Sequence, residues 1–130
     1  MSEKLEIYKC NVCGSVIEVI NAGVGQLVCC SLPMELLPEH KNDDEYQEKH
    51  VPIVSLEGEN KTIRVGSIPH PMEEKHNISF VYVETLKGGQ RKSLLVGEEP
   101  KVSFTFVDDE PVSIFAYCNL HGLWKTEIKK

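Results

Sequence analysis

The chain has 130 residues, 41% of them hydrophobic and 26% charged, and a formal net charge of −6. That composition excludes a wholly disordered chain and fits one ordinary domain, or one small domain with a miniature attached. The acidic balance argues against a nucleic-acid or anionic-membrane binder, since both partners would be repelled.

No apolar run approaches the ~20 residues of a membrane helix. The opening Met1-Ser2-Glu3-Lys4-Leu5-Glu6 lacks the apolar stretch of a signal peptide. A cytoplasmic protein is expected, with neither membrane nor nucleic acid as partner. In that compartment the five cysteines read as metal ligands or reactive thiols rather than disulfides.

Residues 1–37 read as a miniature unit. Short strands are expected at 5–8 and 16–20, flanking Cys10-Asn11-Val12-Cys13-Gly14, and Asn21-Ala22-Gly23 marks a turn. Fewer than ~40 residues rarely hold a core without a metal, a disulfide or oligomerisation. Cys10, Cys13, Cys29 and Cys30 supply the missing staple. Leu5, Ile7, Val16 and Ile17 are expected to stay exposed in so small a unit, which predicts a two-fold dimer that covers them.

Residues 37–47, with Pro38, Asn42, Asp43 and Asp44, read as linker and loop. From there on the pattern is β throughout. Strands are expected at 50–56, 61–65, 78–85, 92–96, 102–107, 112–118 and 124–128. Period-two alternation is clear in Val102-Ser103-Phe104-Thr105-Phe106. Turn chemistry separates the strands at 57–60, 87–90, 97–100 and 108–111. The fold class is therefore mostly β. A metal-binding unit at 1–37 precedes an immunoglobulin-like antiparallel β-sandwich at 38–130.

Cys10-x-x-Cys13 is a chelating spacing, with backbone N–H groups near the sulfurs and Gly14 easing the turn. Cys29 and Cys30 are adjacent, and neighbouring side chains on an extended chain point apart. A shared metal demands a bent backbone there and a distorted tetrahedron. The spacing leaves zinc and iron both open.

The histidines lie beyond this cluster. His40 sits in a polar stretch and reads as a surface or satisfied core residue. His50 opens an expected strand, His70 lies between Pro69 and Pro71, and His76 follows six residues on. Cys118-Asn119-Leu120-His121 places a thiol and an imidazole three residues apart. All these positions fall at strand ends or turns, which can converge at one end of a sandwich. Four imidazoles and a thiolate exceed the four ligands of a structural zinc site and leave one octahedral position open. The mixed nitrogen and sulfur set suits iron, and a thiolate ligand raises electron density on it.

Five segments resemble the desulfoferrodoxins, the two-iron class of superoxide reductase. They are Tyr8-Lys9-Cys10-Asn11-Val12-Cys13-Gly14, Val28-Cys29-Cys30, Glu48-Lys49-His50-Val51-Pro52, His70-Pro71-Met72-Glu73-Glu74-Lys75-His76 and Tyr117-Cys118-Asn119-Leu120-His121-Gly122-Leu123-Trp124. They span nearly the whole chain in family order. The resemblance implies a desulforedoxin-like first domain with iron on Cys10, Cys13, Cys29 and Cys30. It implies a second iron with His50, His70, His76 and His121 equatorial and Cys118 axial. Glu48 would occupy the sixth position in the oxidised state, and Lys49 would assist the substrate. The implied activity is one-electron reduction of superoxide to hydrogen peroxide at ferrous iron. The implied partners are rubredoxin or a similar electron donor and a second copy of the chain. Rival readings are a superoxide dismutase, a pure electron carrier with both irons closed, and a zinc-stabilised interaction module.

Overall fold

The structure is a computed structural model that describes residues 6–40, 50, 52–57, 60–66 and 70–128. It divides into two compact units, Met1–Pro38 and Glu39–Lys130. Among the described residues no helix is long and apolar enough to cross a membrane.

The first unit is built on β1 (Ile7–Lys9), β2 (Val16–Glu18), β3 (Val28–Cys29), β4 (Leu32–Pro33) and β5 (Glu35–Leu36). β1 is the middle strand of a sheet ordered β2-β1-β5, and β3 and β4 form a separate hairpin. Ile7, Cys10, Val19 and Leu37 are buried. Ile7 was expected to be exposed. It lies on the middle strand of its sheet, where it pairs with Glu18 on one side and its carbonyl accepts the Leu37 N–H on the other. Ile17, Val12, Ile20, Val24, Val28, Leu32 and Leu36 are the exposed apolar side chains of this unit. Leu5 lies outside the described residues.

The second unit contains β6 (Glu39–His40), β7 (Pro52–Glu57), β8 (Asn60–Val65), β9 (Ile78–Thr85), β10 (Gly88–Ser93), β11 (Lys101–Thr105), β12 (Pro111–Cys118) and β13 (Gly122–Glu127). One sheet runs β10-β9-β12-β13-β6 and the other β11-β8-β7. Their inner faces share one core of Ile63, Val65, Ile78, Val81, Val83, Phe104, Phe106, Ile114, Ala116 and Cys118. Burying each large member contributes on the order of 1.5–3 kcal/mol. The outer face of the larger sheet is lined by the cross-strand aromatic pairs Phe80–Tyr117 and Tyr82–Phe115.

Three local expectations are corrected. Residues 39–40 are a strand, not loop, and pair in parallel with β13 through Leu123 and Trp124. His50 has helical backbone, and its strand begins at Pro52. The β9–β10 turn is Leu86-Lys87, so Gly88 and Gly89 belong to β10 rather than to the turn. A Cβ at 89 would run into the Tyr82 ring, so any larger residue there would force that side chain to move.

Strand polarity positions the functional end of the sandwich. β12 ends at Cys118, paired with Ile78 at the start of β9. β7 begins at Pro52, paired with Val65 at the end of β8. Residues preceding β7 and β9, and those following β8 and β12, therefore gather at strand ends rather than mid-sheet.

Candidate metal centres

The first cluster is made by two turns. The Gly14 N–H donates to the Cys10 carbonyl (2.9 Å) and the Cys10 N–H to the Ser15 carbonyl (2.8 Å), which curls residues 10–15 around the sulfurs. Gly14 takes the left-handed backbone this needs, at φ 83°. In the β3–β4 hairpin Cys29 pairs with Leu32, leaving Cys30 and Ser31 as a two-residue turn. Both have positive φ, 51° and 64°, as a type I′ turn demands. This is the bend that adjacent cysteines require. It is made without the glycine or asparagine that would have signalled it.

The four sulfurs lie within 4.8 Å of one another. Cys13 Sγ is 3.6 Å from Cys29 Sγ, which is 3.9 Å from Cys30 Sγ. A tetrahedron with metal–sulfur bonds of about 2.3 Å has edges of about 3.8 Å, so the set fits one ion. The electrostatics agree. Cys10 is held below the usual thiol range by the N–H of Cys13, at 3.4 Å, and then that of Val12. Cys13 is lowered to about 6, first by the Ser15 hydroxyl 3.1 Å away. Cys29 is pushed up to about 12, first by Cys10 and then by Cys13, and Cys30 is raised, first by Cys13. Two thiols ionise readily and two resist joining them. A bound cation removes that conflict.

The second cluster lies at the strand ends described above. His50 and His70 are buried, His76 and His121 half-buried, and Cys118 fully buried. The four imidazoles form a closed ring in the order 50, 70, 76, 121. Successive centroids are 4.6, 4.7, 5.2 and 4.8 Å apart, with steep angles between neighbouring planes. Across the ring, His50 and His76 are 6.3 Å apart. His50 Nε2 is 3.0 Å from His70 Nε2 and 3.1 Å from His121 Nδ1. Nitrogens at right angles on a metal, with bonds of about 2.1 Å, would lie about 3.0 Å apart. The two spacings at His50 therefore match adjacent corners of a square ligand plane, and Cys118 offers a fifth group. Ligand atoms of His50, His76, Cys118 and His121 all lie within 4.8 Å of one another, and His70 joins them through His50.

Proton bookkeeping points the same way. The His70 Nδ1–H donates to the Pro71 carbonyl at 2.6 Å, leaving a lone pair on Nε2 aimed at His50. His76 Nε2 is buried without a hydrogen-bond partner. An orphaned buried ring nitrogen is costly in an apolar setting but is satisfied by a cation. Burial above all pulls His70 down to about 4 and also lowers His121, so both are neutral near pH 7 and ready to ligate. Burial raises the Cys118 thiol, opposed by the N–H groups of Leu120 and His121. A metal would be needed to hold it as thiolate.

Residues 2–37 match the family model described as "Desulfoferrodoxin, N-terminal domain", and residues 42–127 match that described as "Desulfoferrodoxin". The chain belongs to the desulfoferrodoxin family. A desulfoferrodoxin homolog from Archaeoglobus fulgidus is 50% identical, covering 97% of this chain and 99% of its own. The crystal structure of the superoxide reductase from Treponema pallidum matches with a TM-score of 0.80 and 31% identity, over 98% of this chain and 100% of that one. The superoxide reductase from Giardia intestinalis matches with a TM-score of 0.55 and 34% identity, over 64% of this chain and 99% of that one. The cysteine cluster and the histidine–cysteine cluster are the two iron sites of a desulfoferrodoxin.

Glu48 and Lys49 lie outside the described residues. His40 stands apart from the imidazole ring, packed on Trp124 with centroids 4.9 Å apart. Sequence reasoning gave no role to Trp124. Its ring stacks on His50 (4.8 Å, 21°) and its Nε1–H donates to the His121 carbonyl at 3.1 Å, so one indole braces two imidazoles. Its place beside the Cys118-x-x-His121 segment was the available signal.

Proposed function

We propose that the chain is a superoxide reductase, delivering one electron and two protons to superoxide and releasing hydrogen peroxide. The observation that carries this reading is the ring of four imidazoles beside one buried thiol. It supports a five-ligand site with room for a small anion. The superoxide reductase of Treponema pallidum, matched over nearly the full length, supports the substrate.

In this reading Cys10, Cys13, Cys29 and Cys30 hold one iron, and His50, His70, His76, His121 and Cys118 hold the other. Iron held there would supply the electron in its ferrous state, and rubredoxin or a similar donor would restore it. The histidines bind as neutral groups and add no charge of their own. The Cys118 thiolate raises electron density on the metal it ligates. Lys49 attracts the anion against the net charge of −6 and hydrogen-bonds the reacting oxygen as it takes up protons. Glu48 closes the oxidised site once product has left. The functional division is 1–37 and 38–130, supported by compact units that divide after Pro38 and family matches ending at 37 and starting at 42.

Neighbouring opposite charges make the two roles separable. Lys49→Ile is expected to slow the bimolecular reaction with superoxide about tenfold, equivalent to about 1.4 kcal/mol of barrier. The encounter should also lose much of its ionic-strength dependence. Glu48→Ala is expected to leave that encounter nearly intact, change the ferric spectrum and open the oxidised site to azide or cyanide. Pulse-generated superoxide kinetics on both variants decide the matter. Equal slowing by Glu48→Ala, or none by Lys49→Ile, would contradict the assignment.

The protein is further proposed to act as a cytoplasmic homodimer. None of the five cysteines is joined in a disulfide, which suits a reducing compartment. Val12, Ile17, Ile20, Val24, Val28, Leu32 and Leu36 are exposed apolar side chains that a second copy could cover. Sedimentation at micromolar concentration should give about twice the chain mass, and a monomer alone would count against the dimer.

A further inference from the structure

Cys118 and His121 sit on one turn and His76 on another, 42 residues earlier in the chain. Asn119 joins the two turns. Its Oδ1 accepts the backbone N–H of Asn77 at 2.9 Å, and its Nδ2–H donates to the Lys75 carbonyl at 2.9 Å. Its own backbone N–H donates to the Asn77 carbonyl at 3.2 Å. All three partners belong to the residues immediately before and after His76.

The other hydrogen bonds of the His76 turn are mostly local. Glu73 and His76 exchange backbone bonds of 2.9 and 3.2 Å. Asn77 Nδ2–H groups donate to the carbonyls of Glu73 (3.0 Å) and Glu74 (3.2 Å). These close the turn on itself. They do not tie it to the Cys118 turn; the β9–β12 ladder ends at the pairing of Ile78 with Cys118, two residues past His76, and beyond that point Asn119 makes the tie. Glu73, Glu74 and Lys75 are exposed, so packing holds this segment weakly.

We infer that Asn119 is a positioning residue for His76, locking the fourth imidazole in register with the thiol and the imidazole of its own turn. The inference rests on the histidine–cysteine cluster being the iron site. His76 lies across the ring from His50, and its Nε2 depends on the metal for a partner. A drift of the His76 turn would open one side of the square. Asparagine suits the task because one short amide offers an acceptor to one side of His76 and a donor to the other. Asn119 is half-buried and lies outside the hydrophobic core, so its loss should leave the sandwich folded.

The test is Asn119→Ala in the iron-loaded full chain. The sulfur-to-iron absorption reports the second site and the four-cysteine absorption serves as internal control. Loss of a partner that orients a metal ligand typically weakens metal binding roughly 10- to 100-fold. The chelator concentration that strips half of the second site should fall by that factor, with a broadened ferric resonance and an unchanged first site. Melting of the metal-free variant should match that of the unaltered protein. Retention and resonance like the unaltered protein's would overturn the inference. So would parallel loss from both sites, or a metal-free melting point lowered enough to explain the release. If the unaltered protein lacks the sulfur-to-iron absorption, the iron-site reading fails first and the inference falls with it.

Discussion

Cys118→Ser is expected to abolish the sulfur-to-iron charge-transfer absorption of the oxidised second site and to remove most superoxide reduction. Cys118 is the sulfur of the second cluster, and the other four members are imidazoles. Its side chain is fully buried at the end of β12, so solvent cannot take its place. Burial raises its pKa, and the Leu120 and His121 N–H groups oppose that rise, so the thiolate depends on metal and backbone together. A serine hydroxyl ionises far less readily than a thiol and is a harder donor, so it would supply little of the same electron density. A rate loss above tenfold, or more than about 1.4 kcal/mol of barrier, is expected from stopped-flow or pulse measurements. The four-cysteine absorption should be unchanged, which separates lost chemistry from lost fold. Persistence of the charge-transfer band in the variant would mean that Cys118 is not a ligand.

The second large effect is on metal content. Cys13→Ser should remove or disturb one iron and leave the other, with reductase activity largely surviving if the first site is mainly structural. Cys13 is exposed, and its thiol is lowered to about 6 mainly by Ser15, so it is the readiest of the four sulfurs to bind metal. Losing it leaves Cys10, Cys29 and Cys30, of which the last two resist ionisation. Among the described residues of the first unit the buried apolar ones are Ile7, Val19 and Leu37 beside Cys10, too few to hold order without the metal. Metal analysis and limited proteolysis check this. Cleavage should appear within 1–37 while 39–130 resists. If the variant loses both irons, the sites are not independent.

Much of the scaffold could be read from the sequence because its signals are local. β9 was expected at 78–85 and spans those residues, since a run rich in β-branched and aromatic residues ends in turn chemistry. The donor groups were legible because metal chemistry limits which residue types recur at short spacing. What escaped was set by distant partners or by unsignalled backbone. β6 is too short to show periodicity and exists only through pairing with β13. A bend at the adjacent cysteines was expected and is present, but its form, left-handed backbone at both Cys30 and Ser31, falls on residues that rarely signal it. Ile7 becomes buried through pairing on both sides of β1. The bracing by Trp124 and Asn119 depends on which loops the folded sheets bring together.

Product stoichiometry under a steady flux of superoxide, with a reductant present, tests the central claim most directly. A reductase forms one hydrogen peroxide for each superoxide consumed and releases no oxygen, with one electron drawn from the donor each time. A dismutase would need no donor and would return half of the superoxide as oxygen. An electron carrier with both irons closed would not accelerate consumption at all. The proposed function predicts peroxide equal to superoxide consumed, oxygen at the uncatalysed background, and donor oxidation in step. Oxygen evolution rising with protein concentration while the donor stays reduced would contradict it.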